Sequence, residues 1–372
     1  MIEKLNADLC ADKRYRVRAH GEQKADFFGY VKKYMSEHGY DGRADGDFGD
    51  AKGAANLVFG DETKAEIFLT AHYDTPKNAA TLPSFFVTNK AGIVADVFMG
   101  LGYIFIAFGV TALLGFFVSW YAAIAYFLLG LVWAGSNFSR DNEFNFNDNT
   151  SGCIAIMEIA AKIAEECPEM KNRLCFVFFD REETGAQGSK KFRKRLLSAL
   201  QPEVFRSKIF LNFDCVGGRD KDLNIYVYTE EGQKLANQIK AFAPDNDGNR
   251  VYTGKESKNS NLTNTYAHDD GNRTYAEKES ETANQTKAHD ALGDGKITVF
   301  KTSLLPTDAN NFRDAAAMTF ISTSKRFFYP LCKLKDAHTK NDRYLDEDMI
   351  GYYTRTVTAY IRSLSERKRS AQ

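Results

Sequence analysis

Polar side chains dominate the first 40 residues, interrupted by Phe27, Phe28, Tyr30, Val31 and Tyr34 at helical spacing. That stripe predicts a helix resting one face on a core. The run Glu66-Ile67-Phe68-Leu69-Thr70-Ala71-His72 has strand length and ends in polar groups able to bind a metal. Between Asp96 and Arg140 the pattern changes abruptly, because residues 97–139 contain no charged side chain at all. A membrane span takes roughly 20 residues, so this stretch predicts two short helices with a turn near Gly115 to Trp120, inserted in a membrane. A hairpin returns the chain to the face it left, and Lys90 and Arg140 at its ends suit the cytoplasmic side. The plainer alternative is an apolar hairpin buried in a soluble oligomer or lying in the membrane interface.

Beyond residue 140 helix-period and strand-period segments alternate. A helix is predicted from about Ser151 to Glu166, a strand at Leu174 to Phe179, a helix near Ser189 to Leu200 and a strand at Lys208 to Phe213. This rhythm predicts an α/β fold, a mixed and mostly parallel sheet flanked by helices, with its site at the carboxyl ends of the strands. Residues 244–293 break the rhythm with a polar insertion. Within it Asp247-Gly248-Asn249-Arg250, Tyr252 and Lys255-Glu256-Ser257 recur as Asp270-Gly271-Asn272-Arg273, Tyr275 and Lys278-Glu279-Ser280. Two copies are too few for a solenoid, so a surface loop or lid is expected. The chain thus divides into 1–91, the start of an α/β body, the hairpin at 92–140, and the rest of the body at 141–372.

Composition narrows the function. The 49 basic and 49 acidic residues cancel, leaving no broad cationic field of the kind nucleic-acid binders use, so nucleic acid is excluded as a partner. A mean hydropathy of -0.41 makes the charge-free stretch the exception in an otherwise polar chain. The six cysteines, at 10, 153, 167, 175, 215 and 332, form no Cys-x-x-Cys pair, and several lie inside apolar runs. This usage suits a reducing compartment rather than a disulfide framework. The acidic start, Met1 to Asp8, has no basic region followed by an apolar run, so no cleavable secretory signal is expected.

Five segments carry candidate chemistry. In Thr70-Ala71-His72-Tyr73-Asp74 the histidine and the carboxylate stand two residues apart, hence on one side of an extended backbone. His72 can ligate a metal while Asp74 fixes its ring. Asn147-Asp148-Asn149-Thr150-Ser151-Gly152 precedes a helix, where Asp148 could equally be a cap. Phe179-Asp180-Arg181-Glu182-Glu183-Thr184-Gly185 sets adjacent glutamates just past a buried strand, so one can bind metal while the other reaches the water on it. Elsewhere such a pair is usually solvated. Asp214 ends the strand Phe210-Leu211-Asn212-Phe213, and Asp336-Ala337-His338-Thr339-Lys340-Asn341-Asp342 supplies a late histidine.

Taken in order, His-x-Asp, Asn-Asp-Asn-x-Ser-Gly, Glu-Glu-x-Gly with Gly188-Ser189, strand-Asp and His-Thr-x-x-Asp resemble the M28 family of zinc aminopeptidases. The resemblance runs from about residue 65 to the end, leaving out the hairpin and the polar insertion. Thr307-Asp308 with Phe312 is similar to the family's Ser-Asp segment, and the apolar insertion resembles that of some membrane-associated bacterial members. The resemblance implies two Zn2+ ions, with Asp148 bridging, His72 and Asp214 completing one and Glu183 and His338 the other. Nitrogen and carboxylate donors suit catalytic zinc, though other divalent metals share them. It implies Glu182 as general base, taking a proton from water and passing it to the leaving amine of a peptide, with Asp74 as the orienting carboxylate. It further implies a bacterial cell membrane as location, with the catalytic domain cytoplasmic. The chain departs from some members in having Ala337 where a tyrosine precedes the last histidine, which leaves the oxyanion-stabilising group open, with Tyr329 a candidate. Asn149-Thr150-Ser151 has the form of a glycosylation acceptor, but a glycan there would crowd Asp148, so the match is read as chance. A glutaminyl cyclase-like zinc acyltransferase and a non-catalytic scaffold or receptor on the same fold are the alternatives. Substrate side-chain preference and oligomeric state are not encoded in any motif.

Overall fold

The computed structural model describes all residues except 51, 77–89, 139–140, 220–221, 245–296, 303–304, 306, 326–331, 335 and 371–372. The polar insertion expected at 244–293 therefore lies, but for Pro244, outside the described residues, as does Tyr329. The described residues form the α-helices α1 (Ile2–Asn6), α2 (Lys13–Arg16), α3 (Gly21–Glu37), α4 (Lys90–Phe117), α5 (Trp120–Phe138), α6 (Gly152–Glu166), α7 (Gln187–Ala199), α8 (Pro202–Arg206), α9 (Glu230–Lys240) and α10 (Glu347–Ser370). The strands are β1 (Gly42–Asp45), β2 (Asn56–Phe59), β3 (Ile67–His72), β4 (Leu174–Phe179), β5 (Ile209–Phe213), β6 (Asp222–Val227), β7 (Thr298–Lys301), β8 (Ala316–Lys325) and β9 (Cys332–Lys333).

They form one mixed sheet in the order β1-β2-β4-β3-β5-β8-β6-β7, with β9 paired to β8. Its centre, β4-β3-β5-β8, is parallel, whereas β2 against β4 and β6 against β8 are antiparallel. Central strands covered on both faces read as unbroken apolar runs. On β3 and β4, Leu69, Ala71, Phe176 and Phe178 face the core under α3, α6 and α10. Phe68, Val177 and Phe179 face the opposite layer, where Phe192 of α7 and Phe205 of α8 cover them. Phe210 stacks there between Phe68 and Phe312, with ring centroids 4.7 and 4.1 Å apart. The expected strands and helices of the body thus form at or within two residues of their predicted bounds.

The hairpin also forms, turning at Val118 and Ser119. Gly115 lets the arms close: a Cβ there would sit 3.2 Å from the Trp120 ring. The two expected membrane spans within 97–139 need correction, however. Among the described residues no helix is long and apolar enough to cross a membrane. The second arm, α5, is 19 residues long and closes with Gly135-Ser136-Asn137-Phe138. Its apolar part falls short of the roughly 20 residues that hydrocarbon of normal thickness requires.

Candidate metal centre

Three parallel strands deliver functional groups to one edge of the sheet. β3 ends at His72, β4 leads through Asp180 to Glu182 and Glu183, and β5 leads to Asp214. Asp148 enters from the turn before α6, and His338 from the segment after β9. Backbone in the left-handed region is uncommon for side-chain-bearing residues and tends to concentrate at functional sites. Here Arg181, Cys215 and His338 all adopt it, with φ of 58, 53 and 57°.

Asp148, 4% exposed, lies between two imidazoles. Its Oδ1 is 3.1 Å from His72 Nε2 and its Oδ2 is 2.9 Å from His338 Nε2. Glu183 Oε2 stands 3.1 Å from His338 Nε2, and Asp214 Oδ1 stands 3.8 Å from His72 Nε2. All five expected ligands therefore converge as two sets that share Asp148. On the far side of His72, Nδ1 faces Asp74 Oδ1 at 3.5 Å. The Asp74 carboxylate also accepts the amides of Glu182 (3.0 Å) and Glu183 (3.2 Å). One buried carboxylate thus orients a ring and the neighbouring glutamate turn.

The residues around Asp148 explain their motif. Asn149 donates from its side chain to Phe213 O at 2.9 Å and accepts from Cys215 N at 3.2 Å. Asn147 Oδ1 accepts from Gly217 N, and Ser151 Oγ from Val216 N, both at 3.0 Å. The turn is thereby fastened along the segment that follows β5, which brings Asp148 to Asp214. Gly152 makes room for this approach, because a Cβ would lie 2.3 Å from Phe213 O. Asn149 is fully buried with its amide engaged, which agrees with reading the glycosylation sequence as chance. Asp342 had no role assigned from sequence, although it closes the His-Thr-x-x-Asp pattern. It accepts the amides of Asn147 (2.8 Å) and Asp148 (2.9 Å).

Charge in the site is strongly coupled. Burial alone would lower the pKa of His72, but hydrogen bonds to Asp148, Asp214 and Asp74 carry it well above the usual imidazole range. Burial likewise opposes the charge on His338, and Glu183 and Asp148 overcome it. Burial would raise Asp148, yet the two imidazoles hold its carboxyl far below the ordinary value. Burial pushes Glu183 up to about 7 and Glu182 well above the carboxylate norm, with neighbouring carboxylates adding to the rise in Glu182. These anions draw positive charge to themselves from whatever source is present.

The donor set fits divalent cations. Ligand atoms of His72, Asp148 and Glu183 lie within 4.8 Å of one another, and so do those of Asp148, Asp214 and Cys215. Among the described residues Glu183 Oε1 is buried with no hydrogen-bond partner, a costly state that coordination relieves. Imidazole and carboxylate donors of this kind suit zinc.

Residues 139–264 match the model of Peptidase family M28, a segment that includes Asp148, Glu182, Glu183 and Asp214 but neither histidine. No curated protein matches the chain in sequence. Among solved structures, the chain is similar to a leucine aminopeptidase precursor from Bacteroides thetaiotaomicron, at 15% identity over 97% of this chain and 96% of that one, TM-score 0.53. It is similar to a Zn-dependent exopeptidase from Parabacteroides distasonis, at 13% identity over 97% of each chain, TM-score 0.54. It is also similar to a glutaminyl cyclase from Porphyromonas gingivalis, at 13% identity over 98% of each chain, TM-score 0.55. At such identities the likeness speaks for the fold, an α/β architecture shared by zinc exopeptidases and glutaminyl cyclases alike.

Proposed function

We propose that this chain is a zinc-dependent aminopeptidase that removes N-terminal residues from peptides. The observation that carries the reading is Asp148 within 3.1 Å of both imidazoles, with Glu183 beside one and Asp214 beside the other. Asp148 would then be shared by two cations, one held by His72 and Asp214 and the other by Glu183 and His338. Zinc bound there supplies Lewis acidity to the scissile carbonyl and eases ionisation of water. Glu182 is the general base. Its carboxyl, raised by burial and by Glu183, has the affinity to take a proton from water and return it to the leaving amine. Asp74 positions both steps by holding the His72 ring and the Glu182 amide.

Glutaminyl cyclase-type acyl transfer is the second reading, supported by solved cyclases of the same fold. Retention of both donor sets around Asp148 favours hydrolysis over it, and also weighs against a non-catalytic scaffold. Metal analysis of the purified chain together with assays on aminoacyl reporters and glutaminyl peptides separates the three. The expected result is two zinc ions per chain, turnover of the reporters, and a fall of about 10²–10⁴-fold in kcat for Glu182→Gln with zinc retained. One zinc with cyclisation would favour the second reading, and absence of both metal and turnover would sink both enzymes.

The hairpin belongs to the same proposal. Its described side chains carry no charge and are mostly apolar, with Ile104, Phe105, Ile106 and Phe108 exposed in near succession and Phe116, Trp120 and Tyr121 at the tip 82, 72 and 86% exposed, while the hydroxyls of Thr111, Ser119 and Ser136 bond to the hairpin's own backbone. A partner protein covers one face of a helix, whereas lipid covers every face. The tip also satisfies its own amides: Val118 and Ser119 donate to Leu114 O, and Ser119 Oγ accepts from Ala122 N. That suits contact with hydrocarbon. In this reading the hairpin seats in the interface of a bacterial membrane without crossing it, and the catalytic body faces the cytoplasm, where buried free cysteines such as Cys153 and Cys175 stay reduced. Release of the chain from membranes by alkaline carbonate with no affinity for liposomes would refute the lipid seat.

A further inference from the structure

Arg18 is 0% exposed, a rare condition for an arginine. Its Nε donates to Tyr73 O, its Nη1 to Tyr15 O at 2.7 Å and its Nη2 to Thr150 Oγ1 at 3.0 Å. Its own amide donates to Thr75 Oγ1 at 3.0 Å. The guanidinium lies 5.0 Å from the centroid of the Phe27 ring, and that ring stacks on Tyr73 at 5.4 Å. Among the described residues none of these partners is a carboxylate, so the charge was not buried to form a salt bridge. Apart from the local bond to Tyr15 O, its hydrogen bonds go to two short segments instead. One is 73–75, directly after His72, and the other is Thr150, two residues after Asp148.

Those segments adjoin groups that repel one another. Asp74, Asp148 and Asp214 are buried and half-buried Glu183 stands beside them, and like charges at such spacing push their supports apart where water screens them little. A planar cation with a fixed fork of donors is suited to tying two backbones together and offsetting nearby negative charge. Burial pulls the Arg18 pKa down and Asp74 is among the groups that oppose this, yet arginine keeps its charge in proteins.

We propose that Arg18 is a positioning residue for the metal centre: it fastens the segment after His72 to the segment after Asp148, so that the ligands face one another before a cation arrives. The inference rests on the zinc reading above. It extends the supports of the centre to Arg18, well outside the segment that matches the peptidase family model.

The test is zinc affinity of the full-length chain, measured by chelator competition alongside circular dichroism and thermal melting of the metal-free protein. Arg18→Met is expected to fold and to bind zinc about 10–100-fold more weakly, the range seen when groups that orient metal ligands are lost. Arg18→Lys keeps the charge without the fork and should fall between that variant and the natural chain. Thr150→Val removes the acceptor for Nη2 together with the hydroxyl's own bond to Asn145 O at 2.7 Å, and should weaken zinc binding by about tenfold, the lower end of the worth of a hydrogen bond to a charged group. A lower melting temperature with unchanged zinc affinity in Arg18→Met would reduce Arg18 to a packing residue and overturn the proposal. If Arg18→Met does not fold, unchanged affinity in Thr150→Val overturns it. A natural chain that binds no zinc at all would instead defeat the aminopeptidase reading beneath it.

Discussion

The catalytic body and the hairpin segregate polar and apolar groups in opposite senses. In the body, carboxylates and imidazoles are packed inside, with Asp74, Asp148, Asp214 and His72 all buried. In the hairpin, phenylalanine and tryptophan side chains stand outside. Either arrangement is expensive when left to itself, the first through desolvated charge and the second through wetted hydrocarbon. In the reading proposed above, something outside the chain completes each of them, cations in one case and lipid in the other. A third buried polar group, the Lys24–Asp180 pair at 2.5 Å, is completed from within the chain and serves as the control.

The largest effect should come from attacking the inversion in the body at its centre. Asp148→Asn removes the only group that reaches both imidazoles among the described residues. It should lower turnover by about 10³-fold or more, given that metal polarisation is worth several kcal/mol. Zinc content should fall in parallel, while the metal-free chain still folds, since Asn can keep the amide contacts to Asp342. Full zinc occupancy in that variant would show that Asp148 does not bridge.

Next in size is the internal control. Lys24→Met leaves Asp180 buried without its cation and should cost about 3–5 kcal/mol in urea unfolding at neutral pH. The pH dependence has a definite sign. Burial already raises the Asp180 pKa above its unfolded value, and Lys24 counteracts the rise. Without Lys24 the folded protein holds that proton still more tightly than the unfolded chain does. Stability is then greatest below the unfolded value of 3.8 and is lost as pH rises through the higher folded pKa. The deficit of the variant should shrink between pH 7 and pH 4. A deficit that stays constant over this window would mean that Asp180 does not carry the charge of the pair.

These contrasts also explain what could be read from the sequence. β3, β4 and β5 were legible because strands buried on both faces are continuous apolar runs, and their ends announce the site: His72, Glu182, Glu183 and Asp214 each follow such a run. β8 gave no such signal. Its Thr319, Ser322 and Thr323 are buried, and Thr319 and Thr323 are satisfied across strands or from loops, by Thr307 at 2.8 Å and Asn224 at 2.7 Å. Polar residues that find internal partners look like loop residues until the fold is known. Arg18 was illegible for the same reason, since an isolated arginine in a polar stretch has no signature, and Asp342, though it closes the His-Thr-x-x-Asp pattern, gave no sign of the amides it would accept. The hairpin was legible as a charge-free segment, but absence of charge fixes neither the depth to which it enters lipid nor its capacity to cross it.

The smallest expected effect tests the hairpin. Phe116→Ser and Trp120→Ser each remove an exposed aromatic from the tip, and burying such a side chain is worth about 1.5–3 kcal/mol. Each substitution should weaken binding to liposomes by roughly tenfold or somewhat more. In solution the same changes should shift urea stability by less than about 0.5 kcal/mol, because exposed side chains have little packing to lose. Trp120 is the more informative site: it also touches Gly115, where the arms close, so Trp120→Ser can loosen the hairpin whereas Phe116→Ser cannot. Equal losses of lipid binding in the two variants would point to the tip itself as the element that meets the membrane. A loss confined to Trp120→Ser would point to hairpin geometry instead, and unchanged binding in both would leave the exposed aromatic tip without the lipid partner argued for it.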